Sequence, residues 1–190
     1  MVMDERSIFY WEWLPLPKAE FNILAMLAEQ GGSFSGNYSD MCRYFGVTVQ
    51  DRTRRPIRAA VENLAAHGWI NHTSSGRTQH LNIIPKATEV SLPHRWVQSV
   101  IRHDYSTESV AFAVVLKVFI WIAHNKWEVV TNDMIAQDLG VSISTVGNGK
   151  NVLLKEYENI TKESVSIKWG EHAFRRIGQR LAAGAWWKDP

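Results

Sequence analysis

The densest run of chemistry-bearing residues is QDRTRRPIR at positions 50–58, in which Arg52, Arg54, Arg55 and Arg58 stand against a single acid, Asp51. Four arginines and one aspartate leave a local net charge of +3, while all 190 residues together carry only +2. A guanidinium is a planar fork of donors that suits the paired acceptors of a phosphate or of a guanine edge. Gln50 and Thr53 add groups able to bond phosphate or adenine. A second polar run, SISTVGNGKN at 142–151, offers small neutral groups instead: Ser142, Ser144, Thr145, Asn148 and Asn151, with Lys150 the one cation. Gly147 and Gly149 between them would let a backbone approach closely. A charged run on its own is usually a solvated face, so the elements that carry these residues decide their meaning.

The same search finds no constellation for catalysis or for a cofactor. Seven histidines are scattered without an HExxH spacing, Cys42 is the only cysteine, and neither GxxxxGK[ST] nor GxGxxG occurs. GNGKN at 147–151 lacks the leading glycine and the preceding strand of a phosphate loop. Asp133, Asp138, Glu156 and Glu158 read as helix-surface charges. The expectation is a chain that is not an enzyme, with no metal site and no cofactor.

Two weak copies of one pattern position the polar runs. In the first, FNILAMLAEQGG repeats apolar residues at helical spacing and ends at Gly31-Gly32, and NYSDMCRYFGV is a short helix with Met41, Tyr44 and Phe45 inward, closed by Gly46. A third helix carries Ile57, Ala60, Val61 and Leu64 in a stripe and ends at Gly68; because Pro56 suits only a first turn, its start is expected near Arg54 or Arg55. WINHTSSGRTQHLNII then reads as a hairpin whose Ser-Ser-Gly-Arg tip offers Arg77 to a backbone or a minor groove. Three helices followed by a hairpin is the order of a winged helix-turn-helix.

In the second copy, VAFAVVLKVFIWIA at 110–123 is 14 residues with Lys117 its only charge, too short for the ~20 that span a bilayer and too long for a strand, so a buried helix is expected and no membrane partner. TNDMIAQDLGV and SISTVGNGKNVLLKEY follow as the two helices of a corner, MCRYFGVT and IAQDLGVS matching residue for residue in register, and ITKESVSIKW is expected to be a short or degenerate wing. LPHRW at 92–96 echoes LPKAE at 16–20 as a common lead-in, and a linker helix carries Trp96, Val97, Val100 and Ile101. EHAFRRIGQRLAAGAWW places Phe174, Ile177 and Leu181 at i, i+3 and i+7, which predicts a C-terminal amphipathic helix ending at Gly184.

The fold expected is therefore mostly α with small β wings, two tandem winged helix-turn-helix units: residues 1–86 with an aromatic lead-in, and 87–190 with the linker helix and the C-terminal helix. The acidic, aromatic N-terminus is unlike a signal peptide and a lone thiol fits a reducing compartment, so the cytoplasm is the expected location. Of nine tryptophans, Trp69, Trp96, Trp121 and Trp127 have structural places in these elements. Trp11, Trp13, Trp186 and Trp187, near the two ends, are candidates for terminal packing or for covering a second subunit in a homodimer.

On LPLPKAEF, MCRYFGVTVQDRTRRPIRAAVENLAAHGWI, LPHRWVQSVI and IAQDLGVSISTV, the chain resembles tandem winged-helix proteins, and among them the DNA-binding region of plasmid and phage replication initiators. The resemblance covers about residues 16–170 and implies binding of double-stranded DNA at repeated origin sequences and recruitment of replication proteins. The near alternative is a transcriptional or copy-number repressor. A protein-interaction scaffold that binds no DNA, with its aromatic ends as the contact surface, is the alternative from another class.

Overall fold

In the computed structural model, which describes residues 6–103, 110–125, 129–155, 160–169 and 174–183, the aromatic lead-in is ordered secondary structure. It forms β1 (Arg6–Tyr10) and a 3-10 turn (Trp11–Trp13). Trp13 is fully buried, with the rings of Phe9 and Tyr10 set edge-on at 6.0 and 5.0 Å. Trp13 thus belongs to the core of its own unit. Trp127, Trp186 and Trp187 lie outside the described residues.

The chain divides into two compact units, Arg6–Ser91 and the residues from Leu92 onward. In the first, α1 (Lys18–Glu29) follows Pro17 and buries Phe21, Leu24 and Leu27. Gly31 and Gly32 at φ +76° and +92° turn the chain out of it, as only glycine does without strain. The unit continues through β2 (Ser33–Gly36), α2 (Tyr38–Tyr44), α3 (Asp51–Ala66), β3 (Ile70–Ser75), β4 (Thr78–Ile83) and β5 (Glu89–Pro93), the last running across the division and paired with β1. A three-stranded antiparallel sheet has the order β2-β4-β3. Its core is Leu24, Leu27, Met41, Val61, Leu64, Ile70 and Leu81, all at most 2% exposed.

The expected start of α3 at Arg54 or Arg55 is corrected: the helix begins at Asp51 and Pro56 sits in its second turn. Capping overrides the proline. The Gln50 N–H donates to Thr53 Oγ1 at 3.1 Å and Arg54 N–H bonds Gln50 O at 3.0 Å, which closes the first turn ahead of where proline alone would place it.

The second unit opens with α4 (His94–Arg102), the linker helix, burying Trp96, Val97 and Val100. LPHRW therefore starts a helix with no counterpart in the first unit, whereas LPKAE starts α1. The counterpart of α1 is α5 (Phe112–His124), in which every residue from Val115 to Ala123 is buried. Then follow β6 (Val129–Val130), α6 (Asn132–Leu139), α7 (Ile143–Lys155), β7 (Ile160–Trp169) and β8 (Phe174–Ala183), with sheet order β6-β8-β7. From α1 and from α5 onward the two units share one order: helix, strand, helix, helix, strand, strand. In both, the first strand pairs with the last.

Residues 174–183 are thus strand, not the expected amphipathic helix. Ten consecutive antiparallel pairs, from Ile160↔Ala183 to Trp169↔Phe174, satisfy two backbones at once, and Gly178 inside the apolar stripe disfavours helix by ~1 kcal/mol. The hairpin expected from ITKESVSIKW as a short or degenerate wing is instead long, with ten-residue strands. Among the described residues no helix is long and apolar enough to cross a membrane.

Candidate nucleic-acid interface

The corner between α2 and α3 is built from the sequence outward. Asn37 caps α2, its side chain accepting from Ser39 N–H at 2.8 Å and Asp40 N–H at 3.1 Å, while Asp40 Oδ2 accepts from Asn37 N–H at 2.9 Å. Met41 and Cys42 point inward, and Gly46 at φ +64° reverses the chain so that Val47 N–H reaches Cys42 O at 2.9 Å. The second unit repeats this at Gly140, also φ +64°, with Val141 N–H on Ala136 O at 3.1 Å.

α3 then presents its arginines at different angles. At 100° per residue, Arg58 lies 40° around the helix from Arg54, Arg55 100° and Arg52 160°. Only Arg54 and Arg58 line a cleft of about 560 Å³, whose other walls are α2, through Tyr38, Ser39 and Arg43, and the hairpin tip, through Arg77 and Gln79. Arg52 and Arg55 stand on the outward face of α3, exposed. Gln50, also exposed, is the residue before α3. Thr53, read as a ligand contact, is committed to the fold: besides accepting from Gln50, its hydroxyl donates to Thr48 O at 2.6 Å or Gln50 O at 2.8 Å.

The cleft is positive. Arg43 pairs with Asp40 at 2.6 Å and Arg54 with Asp51 at 3.4 Å, while Asp51 also meets Arg55 at 3.3 Å. These pairs are largely exposed and therefore weak. Arg58 lies over the Tyr38 ring, 5.3 Å from its centroid, and Arg77 has no carboxylate partner among the described residues. Burial pushes the Tyr38 hydroxyl above its ordinary pKa, Glu62 adds to the rise and Arg58 opposes it, so Tyr38 keeps its proton and remains a donor. Arg54 Nε is buried without a hydrogen-bond partner.

The hairpin tip is a two-residue loop, Gly76-Arg77, between the paired Ser75 and Thr78, with Gly76 at φ +60°. His72 Nε2 donates to Gln79 Oε1 at 2.8 Å, and Gln79 Nε2 donates to Arg77 O at 3.2 Å. The tip that carries Arg77 is braced by these bonds. Arg43, Tyr38 and Gln79 were not singled out from the sequence, because only the fold brings α2 and the hairpin against α3.

In the second unit the polar run divides. Ser142 caps α7, its Oγ accepting from Thr145 N–H at 3.2 Å and bonding the hydroxyls of Ser144 at 2.9 Å and Thr145 at 2.7 Å. Lys150, expected on the DNA-facing surface, is corrected to the interior: it is 5% exposed and its Nζ donates to Asn132 Oδ1 at 2.6 Å. Of the two glycines, Gly147 has room for a Cβ and Gly149 is a packing position. A Cβ on Gly149 would lie 3.1 Å from Val114 Cγ1 and 3.3 Å from Val118 Cγ2, so this residue is where α7 crosses α5 closely; the helix runs through Asn148-Gly149 without a turn. Ser144, Asn148 and Asn151 remain on one face at i, i+4 and i+7, the last two joined there by the exposed Lys155, which the sequence reading passed over. Asp138, read as a surface charge, accepts the Trp121 indole N–H at 2.8 Å.

No family model matches the chain, and no curated protein is detectably similar to it.

Proposed function

We propose that this chain is a non-catalytic double-stranded DNA-binding protein made of two winged helix-turn-helix units, and that it acts as a replication initiator of a mobile element. The observation that carries DNA binding is the convergence of Arg43, Arg54, Arg58 and Arg77, from three separate elements, on one cleft beside the exposed face of α3. Four cations from three elements gather where the pattern helix, strand, helix, helix, strand, strand would meet a duplex. The common element order of the two units supports the winged-helix reading. The second unit, with one lysine and three neutral groups on the matching face of α7, is suited to an auxiliary contact with adjacent DNA or to a partner subunit.

The initiator reading rests on the sequence resemblance, with a transcriptional or copy-number repressor as its alternative. The test is binding to a random duplex pool at several salt concentrations, followed by selection of the bound sequences. With about five phosphates neutralised, log K against log salt should have a slope near −4.5. Enriched direct repeats support the initiator and a palindrome supports a dimeric repressor. Binding without salt dependence, or no binding at all, refutes the proposal and leaves the interaction scaffold.

A further inference from the structure

We infer that α3 carries two arginine surfaces with separate tasks: Arg54 and Arg58, with Arg43 and Arg77, clamp a backbone phosphodiester in the cleft, while Arg52 and Arg55 on the outward face read bases. The inference rests on the DNA-binding reading above and says how that site divides its work.

The division follows from shape. A duplex offers a protein two kinds of relief, the ridge of a sugar-phosphate strand and the trough of a major groove. A ridge fits a concave site, and the cleft of about 560 Å³ between α2, α3 and the hairpin is one. A trough admits a convex surface, and the outward face of α3 is one. Arg52 and Arg55 lie 160° and 100° around the helix from Arg54, so they project from that convex face rather than into the cleft.

The chemistry of the cleft agrees. Arg54 lines the cleft with a side chain that is 40% exposed, its Nε turned inward, so its terminal guanidinium nitrogens are the donors that an anionic oxygen in the cleft can meet. Arg77 comes from the opposite wall with no carboxylate of its own among the described residues. The acids beside the cleft arginines, Asp40 on Arg43 and Asp51 on Arg54, form exposed pairs that a phosphate can replace at small loss. Tyr38, retaining its proton, supplies a neutral donor beneath Arg58.

The experiment uses the full chain and a duplex selected from a random pool, read by fluorescence anisotropy across a salt series, with a scrambled duplex as comparison. Arg54→Gln and Arg77→Gln should each lower the magnitude of the salt slope by about 0.9 and weaken both duplexes equally. Arg52→Gln and Arg55→Gln should instead narrow the preference for the selected duplex, by about tenfold where a bidentate base contact is lost. A single neutral methylphosphonate linkage, scanned along the site, should at one position weaken the parent protein and have no further effect on Arg54→Gln. That arm keeps the test valid if a variant is partly unfolded. The inference is overturned if the cleft variants alter preference without altering the slope, if the outward pair alone carries the slope, or if no linkage shows this dependence on Arg54. Saturable binding of inorganic phosphate alone that needs Arg54, with duplex binding indifferent to it, would assign the cleft to a free anion and likewise overturn it. Absence of any binding by the parent protein refutes the underlying reading instead.

Discussion

Gly147 and Gly149 lie two residues apart on α7 and should respond unequally to the same perturbation. Replacing a mid-helix glycine by alanine removes backbone freedom from the unfolded chain and adds about 1 kcal/mol of stability where the methyl has room. At Gly147 the nearest foreign atom to an added Cβ is Asn132 Nδ2 at 3.8 Å, an ordinary contact, so Gly147→Ala should gain that amount in full. For a unit of roughly 60–100 residues this is a rise in Tm of about 4–8 °C. At Gly149 the added atom meets Val114 Cγ1 at 3.1 Å and Val118 Cγ2 at 3.3 Å, with Val114 O at 3.7 Å behind them. Val118 is fully buried and β-branched, with one favoured rotamer in a helix. α5 and α7 must therefore part by a few tenths of an ångström, and much of the gain is consumed. Gly149→Leu carries the overpacking without relief and should lose about 1–3 kcal/mol. Thermal unfolding followed by circular dichroism decides the matter, read on the transition of the second unit. If Gly149→Ala stabilises as much as Gly147→Ala, or if Gly149→Leu unfolds no earlier than the parent, the close crossing of α5 and α7 is not what holds this unit together.

Three further outcomes follow from other contacts. Pro56→Ala restores an N–H in the second turn of α3, where Arg52 O is its i−4 acceptor, and should stabilise the first unit by about 1–3 kcal/mol in thermal melts; an unchanged Tm would mean that the proline is not interior. Ser142→Ala removes the acceptor for Thr145 N–H and should cost about 1 kcal/mol by denaturant titration; no change would place the cap elsewhere. Burial and then Glu89 raise the Tyr10 pKa, as burial and then Glu62 raise that of Tyr38. Both protons are held more tightly folded than unfolded, so the stability they contribute is intact below pH ~10 and drains away as pH rises through the folded values. Phenolate absorbance should lag behind free tyrosine until the unit unfolds, and two phenols titrating normally in the folded protein would contradict this.

Much of the helical framework is legible in local spacing. The stripe Phe21, Leu24, Leu27 marks α1, Val61 and Leu64 mark α3, and the glycines at 46 and 140 mark the two corners because a tight reversal between helices needs positive φ. What escaped local reading depends on distant partners. Residues 174–183 have apolar spacing compatible with a helix, and only their pairing with 160–169 makes them strand. Lys150 carries a local signal of its interior place: it stands between Val146 and Leu153 on the apolar stripe of α7, where a long side chain is drawn inward and needs an acceptor, here Asn132. The arginine run itself was visible, but its division into cleft and outward surfaces was not. That required the true start of α3 and the positions of α2 and the hairpin, which supply Arg43 and Arg77.

α5 has a consequence for how the second unit comes into being. Nine consecutive buried residues, Val115–Ala123, leave this helix no side to turn toward water, and it packs against α4 before it in the chain and against α6, α7 and β8 after it. As the chain leaves the ribosome, a helix apolar but for Lys117 and the terminal His124 emerges some fifty residues before the strand that completes its cover, the span from Phe112–His124 to Phe174–Ala183. During that interval it is a ready binding site for a chaperone and a nucleus for association between nascent chains. The first unit, whose covering elements all lie within Arg6–Ser91, has its partners in hand before α5 appears.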